Sequence, residues 1–363
     1  MGEPTRIGLI GLGVISDQYL RTLRDHPAVR IVAVADLRAD RAIEVARSLP
    51  GARALGVDEL LAADDVEVVV NLTVPAAHAD IARAAIAAGK RVFGEKPLAT
   101  TLADAERIMA DATASGVAVG SAPDTVLGTG IQTARAAIES GLIGRPTAAI
   151  ATWVSPGHEH WHPNPDFYYR EGGGPLFDMG PYYLTSLVHL LGPVTSVSGE
   201  VSRGRDERVI GSGPRAGERI AVDVDTHVTG TLRHTSGALS SVTFSFDAGG
   251  STAAPIEVHG ETGSLSVPDP NDFAGEVQHR AVGSEEWVVL PATAGYAGAG
   301  RGIGLIDMVR GEGRASGAMA LHVTEIMTAL PRAAREGRRV ELRTSATLPS
   351  LVPLSPAAEQ SPA

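Results

Sequence analysis

Short apolar runs alternate with amphipathic runs along the first third of the chain. Each apolar run is long enough for one strand and has no polar face, which is typical of strands buried on both sides of a parallel sheet. Regular alternation of such strands with helices predicts a doubly wound α/β domain. Strands are predicted at residues 6–10, 30–35, 67–72, 91–94 and 117–120, with helices at 39–49, from Asp58, up to Ala88 and after a Thr101 cap.

The alternation stops near residue 121, and we place a domain boundary there, giving domains 1–122 and 123–363. The later β-rich runs are joined by short turns with little helix between them. This pattern is typical of an α+β domain with an antiparallel sheet and helices on one face. Strands are predicted at 195–203, 222–232, 238–246 and 256–258, helices at 130–140, 178–191 and 319–336, and a disordered tail past Pro356.

Composition narrows the classes of partner. The 363 residues carry a net charge of −11, which argues against nucleic acid or an anionic membrane as partner. Cysteine is absent, so disulfides, thiolate nucleophiles and cysteine-ligated metals are excluded. No apolar run approaches the roughly 20 residues of a membrane span, and no signal-peptide core is visible near the N-terminus, so we expect a soluble, cytoplasmic protein.

The first predicted strand runs directly into a glycine-broken turn, Gly11 to Ser16, with the pattern GxGxxS. Gly11 would make the tight turn, and Gly13 would let the backbone approach a pyrophosphate at the start of the next helix. Ser16 replaces the usual third glycine but is small enough for close packing. The second strand ends in Asp36, 23 positions beyond Gly13, where a carboxylate binds the ribose hydroxyls of NAD and repels the extra phosphate of NADP. We therefore expect NAD rather than NADP, although Arg38 could offset part of the repulsion.

Three segments resemble the Gfo/Idh/MocA family of NAD(P)-dependent sugar and polyol oxidoreductases. They are GLIGLGVIS at 8–16, TVPAAHADIARAAIAAGKRVFGEKPLA at 73–99 and GGGPLFDMGPYYLTSLVHLLG at 172–192. The resemblance implies an N-terminal Rossmann domain and a C-terminal domain with a large open sheet, whose face forms a homodimer or homotetramer. It also implies an active site between the domains that oxidises or reduces a secondary hydroxyl of a sugar, an inositol or a related cyclic polyol.

The resemblance further implies that Lys96, in Glu95-Lys96-Pro97, binds the substrate hydroxyl beside the nicotinamide. The family's second motif is DxGxHxxD, whose histidine is the usual acid/base. The chain has Asp178 at the first position of this motif but Tyr182 at the histidine and Thr185 at the last acid. This departure puts the usual proton relay in doubt.

The chemistry of alcohol oxidation assigns roles to three residues. Lys96 would favour the developing alkoxide, and we expect it to be partly desolvated and to titrate near neutral pH. Tyr182 would act as base if Lys96 lowers its pKa, whereas its alternative is a packing tyrosine. Asp178 lies one helical turn before Tyr182 and would orient the substrate or relay a proton, and its alternative is a helix cap.

An aromatic-rich segment at 158–169 is the predicted substrate loop, because sugars bind by stacking on rings and by hydrogen bonds to polar groups. His158, His160 and Trp161 are the predicted substrate contacts, together with Lys96 and the helix residues above. An oligomer contact is the alternative. Three alternating histidines superficially resemble a metal site, but no fourth ligand is evident, and we expect no metal.

Two alternatives to a dehydrogenase stay open. One is an NAD-using glycosidase that oxidises, eliminates and re-reduces its substrate, and the other is a non-catalytic NAD(P)-binding sensor. His78 contacts the cofactor region or only caps its helix. The predicted cofactor contacts are Gly11, Gly13, Val14, Ile15, Asp36, Thr73, Pro75, His78, Glu95 and Lys96.

Overall fold

The computed structural model describes residues 3–355, and its first sheet has six parallel strands. The strands are β1 (Thr5–Ile10), β2 (Val29–Ala35), β3 (Arg53–Leu55), β4 (Val68–Asn71), β5 (Arg91–Gly94) and β6 (Val119–Ser121). The helices are α1 (Ser16–Leu23), α2 (Ala39–Arg47), α3 (Val57–Ala62), α4 (His78–Ala87) and α5 (Leu102–Ser115). The strand order is β3-β2-β1-β4-β5-β6, so the winding reverses between β1 and β4. Ligands of open α/β sheets bind at such a reversal, and the predicted doubly wound α/β fold is confirmed.

Local sequence explains most boundaries in this sheet. The Thr101 cap is confirmed, because the Thr101 Oγ1 accepts a hydrogen bond from the backbone N–H of Asp104 at 3.1 Å. The edge strand β3 was not predicted, because its three residues, Arg-Ala-Leu, are too few to show a strand pattern. The helix expected from Asp58 begins at Val57, where the Glu59 carboxylate caps the N–H of Gly56 at 2.8 Å.

The second sheet has nine strands in the order β16-β15-β14-β13-β7-β12-β11-β8-β17. Every neighbouring pair is antiparallel except β7 with β12, so the expected mainly antiparallel sheet is confirmed. Its strands are β7 (Pro146–Val154), β8 (Val194–Ser202), β11 (His227–His234), β12 (Leu239–Ser245), β13 (Ile256–Gly260), β14 (Gly263–Val267), β15 (Val277–Ala281), β16 (Val288–Leu290) and β17 (Val340–Glu341), and a separate two-stranded hairpin is formed by β9 (Glu207–Val209) and β10 (Arg219–Ala221). The helices of this half are α6 (Thr129–Glu139), α7 (Gly174–Leu191), α8 (Ile303–Val309) and α9 (Gly317–Glu336).

In this half the central strand was not predicted, and two predictions were wrong in their bounds. Strand β7, at the centre of the sheet, was missed because its alanines weaken the strand pattern. The run predicted at 222–232 starts as a strand only at His227, since Val222 packs in a small separate cluster with Tyr169 and Phe246. Helix α7 begins at Gly174 rather than at Asp178, with Pro175 in its first turn, so Asp178 is inside the helix and does not cap it.

The largest core unites both sheets. Helix α7 lies against β7, β11 and β12, and α9 packs on β8 and also on α5 of the first sheet. Along β7 the buried Ala149 and Ala151 alternate with Ile150, which is 43% exposed, so the face away from the helices is open. Within residues 3–355 no helix is long and apolar enough to cross a membrane. The predicted boundary after residue 122 stays a prediction, and the predicted disorder past Pro356 lies outside the described residues.

Candidate active site

The glycine turn after β1 has the backbone that a dinucleotide needs. Gly11 has φ +91°, and a Cβ there would lie 2.7 Å from the backbone of Leu72 and Thr73. A Cβ at Gly13 would have nothing within 4 Å, so this side of the turn is open to a ligand. Ser16 is fully buried and donates its hydroxyl to the Gly13 carbonyl at 2.6 Å, so it strengthens the turn where the third glycine is missing.

The Asp36 side chain is hydrogen-bonded to the backbone of this turn. Its carboxylate accepts the backbone N–H of Leu12 at 2.8 Å and that of Arg38 at 2.9 Å. Sequence reasoning missed Arg41, whose Nε donates to the Leu12 carbonyl at 3.0 Å from the other side. Its signal was weak, since an arginine in the first turn of α2 reads as an ordinary exposed side chain.

Apolar side chains are exposed at the carboxyl edge of the sheet, where such residues are normally covered. Val14 is 86% exposed, Leu37 98% and Val74 62%, and they follow β1, β2 and β4 in turn. An apolar edge above an open glycine turn, with a carboxylate at the end of β2, fits a dinucleotide.

Two predicted cofactor contacts are interior residues. His78 is 2% exposed, with its ring nitrogens 2.7 Å from the Pro97 carbonyl and 3.0 Å from the Thr73 carbonyl, and burial lowers its pKa. The Glu95 carboxylate accepts the Tyr19 hydroxyl at 2.7 Å and the Lys96 backbone N–H at 2.9 Å. Both residues therefore support the site from the protein interior. The predicted helix cap by His78 is also wrong, since no side-chain cap bond begins α4.

The loop after β4 and the turn after β1 complete the predicted cofactor set. Thr73 bonds the Asn71 side chain at 2.7 Å, Pro75 opens a short 3₁₀ turn, and Ile15 packs against the core directly before α1.

Lys96, Asp178 and His158 form one hydrogen-bonded chain, although they are far apart in sequence. The Lys96 Nζ donates to the Asp178 Oδ1 at 2.9 Å and to the Asp178 backbone carbonyl at 2.6 Å. The His158 Nε2 lies 2.7 Å from the Asp178 Oδ2. The Trp161 indole donates to the His158 Nδ1 at 3.2 Å, so a neutral His158 carries its proton on Nε2 and donates it to Asp178.

Burial and charge act in opposite directions on this chain. Burial by itself would lower the pKa of Lys96, but the Asp178 carboxylate, together with Tyr182 and Glu95, outweighs burial and holds the pKa above its ordinary value. The expectation that Lys96 titrates near neutral pH is therefore wrong. Burial would raise the pKa of Asp178, and the Lys96 ammonium and the His158 hydrogen bond instead lower it to about 2. At neutral pH the pair is an ammonium and a carboxylate.

Tyr182 lies one turn after Asp178 and is 4% exposed. Its ring centroid is 5.1 Å from the Lys96 Nζ and 5.4 Å from the Arg301 Cζ, so the ring contacts two cations. Burial raises its pKa, and the two cations offset this only in part. The lowered pKa on which a phenolate base depends is therefore not found, because burial outweighs the neighbouring charges.

Arg301 is a site residue that sequence reasoning missed. Its Nε donates to Gln18 in the first half at 3.0 Å, and its Nη2 donates to Asn271 in the second half at 2.8 Å. An isolated arginine in a glycine-rich loop gave no signal. It became recognisable only when the fold brought residue 301 beside Tyr182.

The predicted substrate loop divides into an inner and an outer part. The His158 ring packs against Trp153, Tyr168 and Phe246 with centroids 4.4 to 5.8 Å away. The side chain of His160 is 54% exposed and its Nε2 lies 3.6 Å from the Glu159 Oε1, so the structure does not bring it to Lys96. Trp161 is 59% exposed beside His158. Within residues 3–355 no cluster of three or more His, Asp or Glu side chains is arranged to hold a metal ion.

The chain is similar to known sugar and polyol enzymes. It is 29% identical over 262 residues to the myo-inositol 2-dehydrogenase of Thermotoga maritima, covering 72% of this chain and 74% of that protein. It is 29% identical over 267 residues to the 1,5-anhydro-D-fructose reductase of Ensifer adhaerens, with the same coverage of 72% and 74%. The structure of levoglucosan dehydrogenase in complex with NADH superposes with a TM-score of 0.79 at 22% identity, covering 94% of this chain and all of that one.

The family comparison covers the first sheet and most strands of the second sheet. Residues 5–122 match the oxidoreductase family with an NAD-binding Rossmann fold, and residues 131–266 match the GFO/IDH/MocA C-terminal domain. The match to the first region agrees with the glycine turn and Asp36, and the match to the second includes His158, Asp178 and Tyr182. The chain is therefore an oxidoreductase that belongs to the Gfo/Idh/MocA family.

Proposed function

We propose that this protein is an NAD-dependent oxidoreductase that interconverts a secondary hydroxyl and a carbonyl of a sugar, an inositol or a related cyclic polyol. The observation that carries the proposal is the chain from Lys96 through Asp178 to His158. It places a fixed ammonium group at the end of β5, beside the edge where the glycine turn and Asp36 fit a dinucleotide.

The preference for NAD is supported by Asp36. Its carboxylate is already fixed by two backbone N–H groups, so it occupies the end of β2 where a 2′-phosphate would meet a negative charge. The Arg38 side chain is exposed, and only its backbone is engaged with Asp36. A nicotinamide bound here would supply the hydride acceptor or donor.

Lys96 acts on the substrate oxygen in this proposal. Asp178 takes two of the hydrogen-bonding directions of the ammonium, through its carboxylate and its carbonyl, and leaves a third N–H for the substrate. In the reductive direction Lys96 donates that proton to the carbonyl oxygen as the carbon receives hydride. In the oxidative direction the step runs in reverse: Lys96, after releasing a proton to solvent, takes the hydroxyl proton as the carbon loses hydride, and the ammonium that forms stabilises the developing alkoxide.

His158 and Tyr182 hold this donor in place. His158 fixes the second carboxylate oxygen of Asp178, so the carboxylate cannot rotate away from Lys96. The Tyr182 ring offers its electron-rich face to Lys96, and burial raises the pKa of its hydroxyl. The position that carries the family's histidine therefore serves to orient Lys96.

The substrate class is supported by the surroundings of His158 and by the similar enzymes. Exposed Trp161 and half-buried Tyr168 offer ring faces on which the C–H surface of a sugar can stack. The relatives' names contain myo-inositol, 1,5-anhydro-D-fructose and levoglucosan, all cyclic polyhydroxy compounds. The resemblance also supports a homodimer or homotetramer through the open face that carries Ile150, which light scattering would measure.

A panel of inositols, anhydrosugars and their keto forms, assayed with NAD(H) and NADP(H), tests the function. Net formation or consumption of reduced cofactor with one of them supports the dehydrogenase. Product formed without net cofactor change would instead identify the glycosidase, and tight NAD binding with no product across the panel would identify a sensor.

A further inference from the structure

An inserted hairpin lies over the substrate loop. It occupies residues 203–226 between β8 and β11, and its strands β9 and β10 pair only with each other. Its apolar side chains pack with two aromatic residues from outside the hairpin in a small core that is separate from the main ones. The hairpin supplies Ile210, Ile220 and Val222 to this core, and the other two members are Tyr169 and Phe246.

Arg208 on this hairpin is almost completely buried, with a side chain 1% exposed. Its guanidinium donates to the Glu159 Oε1 at 2.9 Å and also bonds the Asp247 carboxylate. It donates further to the carbonyls of Pro156 at 2.9 Å and Phe246 at 3.1 Å. Burying a guanidinium is unfavourable unless it is well paired, and a buried ion pair is weak evidence for stability in itself. This arrangement therefore suggests a role in geometry.

The geometry that Arg208 sets is that of His158. Glu159 directly follows His158, is 1% exposed, and its second oxygen accepts the Tyr169 hydroxyl. The oxygen of that hydroxyl accepts the backbone N–H of His158 at 3.2 Å. Before it, Gly157 has φ +108°, and a Cβ there would lie 2.2 Å from the Glu159 carboxylate. The backbone on both sides of His158 is thus fixed by the carboxylate that Arg208 holds.

We propose that Arg208 is a positioning residue, which acts through Glu159 to hold His158 against Asp178 and so keeps the Lys96 donor aligned. The link is short, since Glu159 of the buried ion pair is the immediate neighbour of His158, which makes the 2.7 Å contact with Asp178. Hairpin 203–226 is then part of the active-site support. For its effect on turnover the inference rests on the proposed function, but its effect on His158 does not.

The test uses the full-length protein with ¹⁵N-labelled histidine. Arg208→Met combined with Glu159→Gln removes the two most deeply buried charges together, and the one partner left, the Asp247 carboxylate, has a side chain that is 21% exposed. Arg219→Met is the matched control, since Arg219 is on the same hairpin but its side chain is 71% exposed and pairs with Glu207 at 3.0 Å. The signals of His158 are identified by their loss in His158→Asn.

In the wild type and in Arg219→Met we expect the His158 signals of a ring protonated on Nε2 alone. The double variant should show a mixture of tautomers. An unchanged tautomer in a folded double variant, as judged by circular dichroism, would overturn the proposal. If the double variant does not fold, the His158 tautomer is measured in Glu159→Gln alone, which keeps the Arg208 contact with Asp247. The same outcomes then support or overturn the proposal.

Turnover gives a second, independent readout once a substrate is known. The double variant should lower kcat about tenfold or more, while the Kd for NAD stays unchanged. When the same two substitutions are made in a His158→Asn background, they should lower kcat by less than about twofold. Equal losses in both backgrounds would mean that Arg208 acts elsewhere. If no substrate is turned over by the wild type, the proposed function fails, while the tautomer result still decides the role of Arg208.

Discussion

The two sides of the candidate site are held in different ways. On the dinucleotide side, the geometry is set mainly by the backbone. Gly11, Gly13 and Asp36 lie within one βαβ unit, and their contacts are to main-chain groups. On the substrate side, Lys96 and Asp178 are largely buried, with side chains 15% and 14% exposed, and are charged and 82 positions apart. A local backbone motif tolerates change at its side chains, whereas a buried charge network loses its geometry when one member is removed.

Lys96→Met should have the largest effect. It removes the donor to the substrate oxygen, so kcat should fall by about a thousandfold, while the Kd for NAD stays within about twofold. Stopped-flow or steady-state turnover and NAD titration measure both. Exposed Arg30 provides the control variant Arg30→Met. Loss of NAD binding with normal turnover per bound cofactor would contradict the division of the site into two sides.

Asp178→Asn should lower turnover by about a hundredfold and change its pH dependence. In the wild type, Asp178 is the strongest of the neighbours that hold the pKa of Lys96 above its ordinary value against burial, so carbonyl reduction should be constant from pH 6 to about 9. Without that carboxylate, burial lowers the Lys96 pKa, and the reduction rate should decline within the same interval. A flat profile in the variant would show that Asp178 does not control the charge of Lys96.

The same pair predicts a pH dependence of stability. Asp178 has a pKa of about 2 when folded, below the roughly 3.9 of an unfolded aspartate, so its contribution is present above about pH 4 and is lost as the pH falls toward 2. The difference in the free energy of unfolding between wild type and Asp178→Asn should therefore narrow from pH 7 to pH 3. Urea unfolding at the two pH values measures it, and an equal or wider difference at pH 3 would count against the ion pair.

Tyr182→Phe should cost less than about tenfold in kcat, because it keeps the ring face that contacts Lys96 and Arg301. Tyr182→Leu removes the ring and should cost about tenfold or more. Measuring kcat for both at saturating NAD separates two roles. A Phe variant that is as impaired as the Leu variant would restore the phenolic hydroxyl as the acid/base.

Asp36→Ser should have the smallest effect. The serine keeps one acceptor for the Leu12 N–H but removes the charge, so the Kd for NAD should rise about fivefold and the preference over NADP should shrink. Fluorescence titration with both reduced cofactors measures this. Unchanged selectivity would mean that Asp36 does not face the ribose.

Much of the fold was predictable because its signals are local. The alternation of apolar and amphipathic runs predicted the parallel sheet, and the glycine turn with Asp36 predicted its ligand-binding edge. Strand β7 was missed because its alanines favour helix over strand, and only pairing with β12 and β13 makes it the centre of the second sheet.

The site was predictable in its residue types more than in their roles. Lys96, Asp178 and His158 were all named as site residues, but their connection into one chain was not. A lowered pKa was considered for Tyr182, whereas burial raises it. A sequence shows which ionisable side chains are present but not how deeply each of them is buried. Arg301 and Arg208 gave no signal at all, since their partners lie in segments far away along the chain.

The sequence by itself determined the family, the doubly wound sheet, the cofactor edge and the identity of the lysine and aspartate, since each depends on residues close together in the chain. Only the tertiary structure decided that His158 and not His160 reaches Asp178, that Lys96 stays charged and that Tyr182 contacts two cations. The physical reason is that a pKa and a hydrogen-bond partner depend on burial and on neighbours, and folding sets both of them.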